Sequence, residues 1–226
     1  MSEYLFSRLT PRADLSFSQI EQFARFDPYG QHQAIWQLFD VPPATASTRT
    51  AFLFRHEWQG DLPAFYALSC SAPQDRTGLW SIQSKPYAPR LAAGDRLHFK
   101  LRVNPIVTRN GKRHDVVMDA KQRLHWKELR PEERPALNTL AYEAGQTWLA
   151  GRAEKHGFAL TSESLLVDGY RTHEVHRRGC VPICFSTLDF SGLVTVTDPE
   201  KFLSTLYEGL GPAKGFGCGL LLVKRV

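Results

Sequence analysis

The first third of the chain shows apolar patterns typical of β-strands, together with one clear helical pattern. Strands are predicted at residues 4–9, 50–58, 64–71 and 79–84, where aromatic and β-branched residues alternate with polar ones or form short runs. A helix is predicted at 27–39, because Asp27 suits the N-cap, Pro28 suits the first helical position and apolar residues follow. The predicted order is strand, helix, strand, strand, strand.

A polar, proline-rich stretch at residues 85–90 separates this part from a second region that begins with a strictly alternating strand. Residues 97–103 place apolar side chains on one face. The other face carries His98, Lys100 and Arg102. The Asn-Gly pair at 110–111 is a strong hairpin signal. It predicts that residues 113–118 return as the partner of this strand.

Two further helices and several short strands are predicted in the second region. One helix covers 135–156, where apolar residues recur at helical spacing, and the last helix opens at Asp198. Strands are predicted at 161–167, 181–185, 193–196 and 220–226. The basic stretch 170–178 between them is predicted to be an extended arm or a hairpin tip. The resulting order, β-α-β-β-α-β, is that of a ferredoxin-like domain.

The predicted fold class is therefore α+β, with two tandem ferredoxin-like (RRM-like) domains and a glycine-rich loop near the C-terminus. The first domain covers residues 1–88 and the second covers 95–226. The first half is compatible with a degenerate copy of the second. With 226 residues, of which 42% are hydrophobic, the chain is long enough to build these cores.

The glycine-rich loop, GLGPAKGFGCG at residues 209–219, contains five glycines in eleven residues. This density permits positive φ and close backbone approach, at an entropic cost that an ordinary loop has no reason to bear. Lys214 is followed by Gly215 instead of Ser or Thr, and no G-x-G-x-x-G links a strand to a helix, which disfavours nucleotide-triphosphate and dinucleotide binding. A basic glycine loop between a helix and a final strand favours contact with a polymeric phosphate chain.

Composition adds little until the positions of the charges are considered. Lysine and arginine exceed aspartate and glutamate by 28 to 23, a formal charge of +5, so clustering matters more than the sum. The chain shows neither a signal peptide nor an apolar run of membrane length, and we expect a soluble cytoplasmic protein. The four cysteines fit neither a disulfide framework nor a zinc site and are predicted to be buried thiols.

Nine cations of the second region fall in four places that a small ferredoxin-like domain can bring to one surface. They are Lys100 and Arg102 on the first strand, Arg109, Lys112 and Arg113 on the hairpin, Arg171, Arg177 and Arg178 on the basic stretch, and Lys214 in the glycine loop. For any one of them, an ordinary solvated charge is the better interpretation. Together they favour phosphate binding, because only Asp115 and Glu174 lie nearby. The exposed strand face is basic and lacks aromatic residues, which favours structured RNA over base stacking.

The candidate chemistry rests on one histidine. No paired-carboxylate, H-E-x-x-H, C-x-x-C or G-x-S-x-G motif is present, so a nuclease activity is predicted to need no metal and no other cofactor. RNA supplies its own nucleophile in the 2′-OH, and histidine suits proton transfer because its unperturbed pKa is about 6.5. His32 follows Tyr29 by three residues, so both share a helix face, and Tyr29 could orient it or carry a proton. From spacing alone, a surface histidine beside a turn tyrosine is the better interpretation.

The chain resembles the CasE family, the CRISPR precursor-RNA endoribonucleases of type I-E Cascade systems, in three blocks. These are YGQHQAIWQLF at 29–39, FKLRVNP at 99–105 and the glycine loop at 209–219. The loop alone matches the G-h-G-x5-G-h-G signature of the wider superfamily of repeat-associated RNA-binding proteins. The three blocks span nearly the whole chain in the family's order, and their combination is specific.

The resemblance implies recognition of the stem-loop of a CRISPR repeat RNA and metal-independent cleavage at the 3′ base of the stem, giving a 2′,3′-cyclic phosphate and a 5′-hydroxyl. His32 matches the family's catalytic histidine and Tyr29 its helper tyrosine. Residues 171–178 match the hairpin that enters the major groove of the stem. The implied partners are the repeat RNA and other Cascade subunits, especially the backbone subunit, with no membrane and no small-molecule cofactor.

Within this interpretation the glycine loop contacts the RNA backbone, and the chemistry lies far from it in the sequence, at His32. Gly215 and Phe216 of the loop therefore join Lys214 in the predicted RNA-binding set. The alternative is a non-catalytic RNA-binding or scaffold subunit of a CRISPR ribonucleoprotein, which would keep the loop and need no histidine on the first helix. His32 and Tyr29 favour the enzyme.

Overall fold

The computed structural model describes residues 4–24, 26–39, 51–176 and 179–226. Two members of the predicted RNA-binding set, Arg177 and Arg178, lie outside the described residues, as does the first residue of the strand predicted at 50–58. Within these ranges the fold is α+β with antiparallel sheets, as predicted.

The first part of the chain forms a four-stranded antiparallel sheet with two helices. Its elements are β1 (Leu5–Pro11), α1 (Phe17–Ala24), α2 (Pro28–Trp36), β2 (Phe52–Gln59), β3 (Leu62–Ser69) and β4 (Trp80–Pro86). The strands lie in the order β2-β3-β1-β4. All four strands predicted here are confirmed, whereas α1 was not predicted.

Helix α2 begins where the sequence predicts and ends earlier. The Asp27 carboxylate accepts a hydrogen bond from the Gly30 N–H at 2.6 Å, which satisfies one of the donors that a helix start leaves without a partner. The helix ends at Trp36. Its Ile35 side chain is fully buried in a core shared with Phe54 of β2, so α2 is fixed against the sheet.

The second part of the chain forms a five-stranded antiparallel sheet, a separate hairpin and three helices. Its elements are β5 (Arg96–Val103), β6 (Ile106–Arg109), β7 (Lys112–Asp115), α3 (Val116–Arg123), α4 (Leu137–Ala153), β8 (Phe158–Leu160), β9 (Leu166–Val175), β10 (Ile183–Val196), α5 (Pro199–Glu208) and β11 (Leu221–Arg225). The sheet has the order β11-β5-β10-β8, and β9 also pairs with β10. Apolar side chains of α3, α4 and α5 share one core with this sheet.

The prediction that residues 113–118 return as the partner of β5 is wrong. Strands β6 and β7 pair with each other across the Asn-Gly turn at 110–111, so the turn itself is confirmed. Strand β5 instead lies between β10 and β11. Pro105 follows β5 closely and has no N–H with which to continue a strand ladder. Asp115 then caps the start of α3, so the segment after it is helical.

Strand β10 is one 14-residue strand, where two short strands were predicted at 181–185 and 193–196. Most of the strand predicted at 161–167 is replaced by a 3-10 turn at Ser162–Ser164 that precedes β9. Strands β9 and β10 form a hairpin, which we call the arm. The described part of the basic stretch lies in β9 and its end, which confirms a hairpin there.

The prediction of four buried thiols is wrong for three of the cysteines. Cys70, Cys180 and Cys184 are exposed, and Cys218 is buried. Cys180 lies in the turn of the arm and Cys184 at an exposed position of β10, because the apolar run that contains them forms part of this hairpin. All four are free thiols.

Ion pairs join the two sheets. The Arg55 side chain on β2 is only 5% exposed, pairs with Glu57, and donates to Asp189 of β10 at 3.1 Å. Arg102 of β5 donates to the same Asp189 carboxylate at 2.8 Å. A buried charge is tolerated when its partners are in place, and this network supplies them. It fixes β2 of the first sheet relative to β5 and β10 of the second.

Candidate active site

His32 lies on α2, half-buried among aromatic side chains. Its ring centroid is 5.4 Å from Trp36, 6.1 Å from Phe52 and 6.4 Å from Phe54. Burial lowers the pKa of the imidazole below its ordinary value of 6.5, because a charged ring would lose hydration there. Its Nδ1 atom is shielded from solvent and has no hydrogen-bond partner among the described residues. The described residues therefore leave Nδ1 of this half-buried imidazole without a hydrogen bond.

Tyr29 lies one helical turn before His32. The Asp27 cap holds the first turn of α2 in place, and Tyr29 is half-buried in that turn. Residues three apart are neighbours on a helix surface, so the Tyr29 and His32 positions lie on the same side of α2. A phenol and an imidazole on one helix face are two groups that can exchange protons with a substrate.

The glycine loop reaches His32, although the two are far apart in the sequence. A Cβ atom built on Gly215 would lie 3.7 Å from both Nδ1 and Cε1 of the imidazole. The loop also packs on β2, since a Cβ atom on Gly217 would lie 3.4 Å from the ring of Phe54. This proximity was not predicted, because the sequence shows only that the two segments lie far apart along the chain. The loop forms one wall of the space around the His32 ring.

Two glycines of this loop serve different purposes. Gly217 has a φ of 76°, a left-handed conformation that residues with a Cβ atom disfavour. Gly215 is not among the residues with positive φ, so its backbone would suit any residue. The loop backbone at Gly215 instead lies close to the Nδ1 and Cε1 edge of the imidazole, where a Cβ atom would be in ordinary van der Waals contact with the ring. The loop backbone is anchored on β5, where the Gly219 N–H donates to the Arg102 carbonyl at 2.7 Å.

The two neighbours of Gly215 connect the loop to other parts of the molecule. Lys214 is half-buried, and burial lowers the pKa of its ammonium group, an effect that Glu208 partly offsets. Phe216 stacks on Phe185 of the arm, with ring centroids 4.9 Å apart and planes inclined by 22°. The loop therefore contacts α2 on one side and the arm on the other.

The predicted RNA-binding cations divide into free and paired groups. Lys100, Lys112, Arg113 and Arg171 are exposed. Arg102 and Arg109 instead pair with carboxylates, at 2.8 Å to Asp189 and 3.3 Å to Asp119. Neither aspartate was counted from the sequence, because neither lies next to the cations in the chain. The Arg102 guanidinium is therefore already paired in the contact between the two sheets.

Asp115 brings the β6–β7 hairpin against the arm. Its carboxylate accepts hydrogen bonds from the hydroxyl of Tyr170 on β9, at 3.0 Å, and from the hydroxyl of Ser186 on β10. From the sequence this aspartate counted only as a charge opposing the cations. Its actual role is to join two groups of them, since the hairpin carries Lys112 and Arg113 and the arm carries Arg171.

Two residues of this region were missed by sequence reasoning. Asp189 could have been recognised from the sequence, because it is a lone carboxylate between two apolar residues, Leu188 and Phe190, which are both buried. An isolated charge in such a run indicates an ion pair. Phe185 has no such signal, since its partner Phe216 lies in a distant segment and only the fold brings the two rings together.

Among the described residues, no group of three or more histidine, cysteine, aspartate or glutamate side chains is placed to hold a metal ion. None of the helices in these ranges is long and apolar enough to cross a membrane.

Comparisons with known proteins place the chain in a family. A family model described as CRISPR associated protein matches residues 6–225. The CRISPR system Cascade subunit CasE of Escherichia coli is 30% identical over 207 residues, covering 86% of this chain and 90% of the relative. The CRISPR-associated endoribonuclease Cse3 of Thermus thermophilus is 33% identical over 141 residues, covering 62% of this chain and 60% of the relative.

The fold agrees with these sequence matches. A solved structure of CRISPR endoribonuclease Cse3 bound to a 19-nucleotide RNA superimposes with a TM-score of 0.72 at 26% identity, and the match covers 99% of this chain and 100% of that one. The family model and the CasE relative each span most of the chain. The chain therefore belongs to the CasE family of CRISPR-associated proteins.

Proposed function

We propose that the chain is a metal-independent endoribonuclease that binds the stem-loop of a CRISPR repeat and cleaves precursor crRNA at the 3′ base of the stem. The products would be a 2′,3′-cyclic phosphate and a 5′-hydroxyl. One relative is described as a CRISPR-associated endoribonuclease, and a similar endoribonuclease has been solved with bound RNA. Both support the proposal that this chain binds and cleaves RNA. The finer mechanism rests on the chemistry of the side chains.

The observation that carries the proposal is the contact of His32 with the glycine loop. The imidazole is half-buried, its pKa is lowered by burial, and its Nδ1 edge packs against Gly215. That edge is closed to solvent, which leaves Nε2 as the atom for proton transfer. A loop able to receive a phosphate backbone thus adjoins a group able to move a proton.

In the proposed reaction, neutral His32 takes the proton of the 2′-OH next to the scissile phosphate. The 2′-oxygen then bonds to phosphorus, and the bond from phosphorus to the 5′-oxygen breaks. That oxygen receives a proton from an acid, for which the Tyr29 phenol is the candidate. Lys214, which directly precedes Gly215 in the loop, is the candidate for the positive charge that stabilises the phosphorane. A positioned acid or base contributes typically about a hundred- to ten-thousand-fold to such a rate.

The proposed RNA-binding surface runs from the glycine loop to the arm and the adjacent hairpin. Its members are Lys100, Lys112, Arg113, Arg171, Lys214, Gly215 and Phe216, together with the remaining predicted cations Arg102, Arg109, Arg177 and Arg178. Exposed cations beside a hairpin suit the phosphates of a stem. Arg102 and Arg109 would contribute less than the others, because each already pairs with a carboxylate.

We also propose that the protein remains with its product as a subunit of Cascade, in contact with the backbone subunit and in the cytoplasm, where the RNA is made. The E. coli relative is described as a Cascade subunit.

We divide the chain into ferredoxin-like domains at residues 1–88 and 95–226, one around each sheet. A non-catalytic scaffold on the same fold is the alternative, and the contact of the His32 imidazole with the glycine loop favours the enzyme.

The test of the proposed function is cleavage of a cognate repeat RNA in excess EDTA. We expect one cut, at the same position and rate as without EDTA, because proton transfer by side chains and attack by the 2′-OH require no metal. Addition of Mg²⁺ should leave the rate nearly unchanged. Loss of cutting in EDTA together with recovery in Mg²⁺ would contradict metal independence, and binding without cutting in either buffer would favour the scaffold.

The pH dependence follows from the depressed pKa of His32. A base acts in its neutral form, and lowering its pKa below 6.5 keeps that form populated in more acidic solution. We therefore expect the single-turnover rate to hold as the pH falls from neutrality, with an acidic midpoint below 6.5. A plot of rate against pH measures this midpoint. A rate that increases as the pH falls would show that His32 does not act as the base.

Replacing Arg171 by alanine tests the contact of the arm with RNA. Arg171 is exposed on β9, so its loss should remove about one phosphate contact and reduce the slope of log K against log salt by about 1. The matched control is Arg130→Ala, which removes an exposed arginine that pairs with Glu133 outside the proposed surface. Equal salt slopes for the two variants would show that Arg171 does not touch RNA.

A further inference from the structure

Three rings form a continuous stack from the arm to the glycine loop. His173 of β9 and Phe185 of β10 lie opposite each other in the strand register, with ring centroids 4.8 Å apart and planes inclined by 21°. Phe185 stacks in turn on Phe216, at 4.9 Å and 22°. These distances are those of favourable aromatic stacking. The last ring belongs to the residue that directly follows Gly215.

Both ends of the stack are held by other contacts. At the arm, Nε2 of His173 is hydrogen-bonded to the hydroxyl of Thr187 at 3.0 Å. At the loop, the Phe216 N–H donates to the Ala213 carbonyl at 2.9 Å. The ring of Phe216 is thus tied to the arm, while its backbone is tied to the tight turn that contains Gly215. A shift of the arm would be passed to Gly215 and to the His32 ring.

The stack changes the interpretation of Phe216. From the sequence this residue belongs to the RNA-binding set, and an exposed aromatic ring in such a place would suit a base. In the structure Phe185 already covers one face of the ring. Phe216 is half-buried between the loop and the arm. Its environment is that of a side chain that connects two parts of the protein.

We propose that Phe185 is a positioning residue for the reaction, which holds Gly215 against His32 by stacking on Phe216. The arm that binds RNA and the imidazole that moves the proton are then parts of one rigid unit. This inference rests on the proposed function. Because a small misplacement of reacting groups is costly, loss of the stack lowers the rate at saturating RNA by roughly ten- to a hundredfold.

The test compares Phe185→Leu with Phe185→Tyr. Leucine keeps the apolar bulk and removes the stack, whereas tyrosine keeps the aromatic ring. We expect Phe185→Leu to lower the single-turnover rate at saturating repeat RNA while Kd stays unchanged, and Phe185→Tyr to cleave at the wild-type rate. An unchanged rate in Phe185→Leu overturns the proposal. A weaker Kd with an unchanged saturated rate also overturns it, because Phe185 would then belong to the binding surface.

A control variant separates positioning from stability. Phe158 and Phe202 form an aromatic pair in the core of the second part of the chain, with centroids 5.9 Å apart. Phe158→Leu makes the same chemical change away from the stack. We expect it to lower Tm and to leave the single-turnover rate unchanged. Equal loss of rate in Phe158→Leu and Phe185→Leu would assign the effect to stability and overturn the proposal.

A second readout does not depend on cleavage. In carbon-13 spectra, the Cε1–H signal of His32 is the one that disappears in His32→Ala. We expect this signal to shift in Phe185→Leu, because Gly215 packs against Cε1, and to remain in place in Phe158→Leu and Phe185→Tyr. If wild-type protein binds the repeat without cutting it, the proposed function fails and this shift still tests the link. A His32 signal that does not shift in Phe185→Leu overturns the proposal that Phe185 positions Gly215 against His32.

Discussion

Replacing His32 by alanine is expected to lower the single-turnover cleavage rate of a cognate repeat RNA at least about a hundredfold. The change removes the group that takes the proton of the 2′-OH. Kd should stay nearly unchanged, because the cations of the loop, the hairpin and the arm remain. Cleavage in EDTA at saturating RNA, together with a binding titration, measures both quantities. Undiminished cleavage by this variant would contradict the assignment of His32 as the catalytic base.

Two comparisons make this result specific. Alanine leaves a space between α2 and Gly215, so added imidazole is expected to restore part of the rate by occupying it. His125→Ala is the matched control. The His125 side chain is 72% exposed, and its Nδ1 atom lies 3.3 Å from the Glu128 carboxylate. We expect that control to cleave at the wild-type rate. A similar loss in both histidine variants would indicate damage unrelated to proton transfer.

Features determined by neighbouring residues were predicted well from the sequence. The start of α2 follows from Asp27 and the adjacent proline, and the turn at 110–111 follows from its Asn-Gly pair. In both cases a local hydrogen bond or a permitted φ determines the geometry. The four strands of the first sheet were predictable for a similar reason, since their apolar residues face a core on one side.

Features determined by distant partners were not predictable. Strand β5 pairs with β10 and β11, and nothing in its own residues distinguishes these partners from the nearer segment at 113–118. Helix α1 was missed although Ser16 and Gln19 form a capping box at its start, in which the Ser16 N–H donates to the Gln19 side chain and the Gln19 N–H donates to Ser16 Oγ. The Phe23 side chain that fixes this helix finds its core only in the fold. Local patterns indicate which residues are buried but not against what.

The candidate site shows the same division. His32 and the glycine loop were each identified from their own segments, but their contact required the fold. Arg102 was predicted to bind RNA because its strand face is basic, and its partner Asp189 comes from a different part of the chain. Electrostatic pairing across a sheet is a tertiary property, so the sequence overstated the free charge of this surface.

In the proposed reaction, the RNA is cut by its own 2′-OH under the control of His32. A single 2′-deoxy substitution at the nucleotide 5′ of the cut removes the nucleophile and leaves the stem, the loop contacts and the scissile phosphate in place. We therefore expect the largest effect of any change to the substrate, a complete block of cleavage with nearly unchanged Kd. No protein variant is needed for this test.

The decisive measurement incubates the protein in EDTA with the all-ribose repeat and with its 2′-deoxy counterpart, and maps the ends of every product. We expect one cut in the all-ribose RNA, with a 2′,3′-cyclic phosphate on one fragment and a 5′-hydroxyl on the other, and an intact deoxy substrate. Cutting of the deoxy substrate at the same bond would contradict this mechanism.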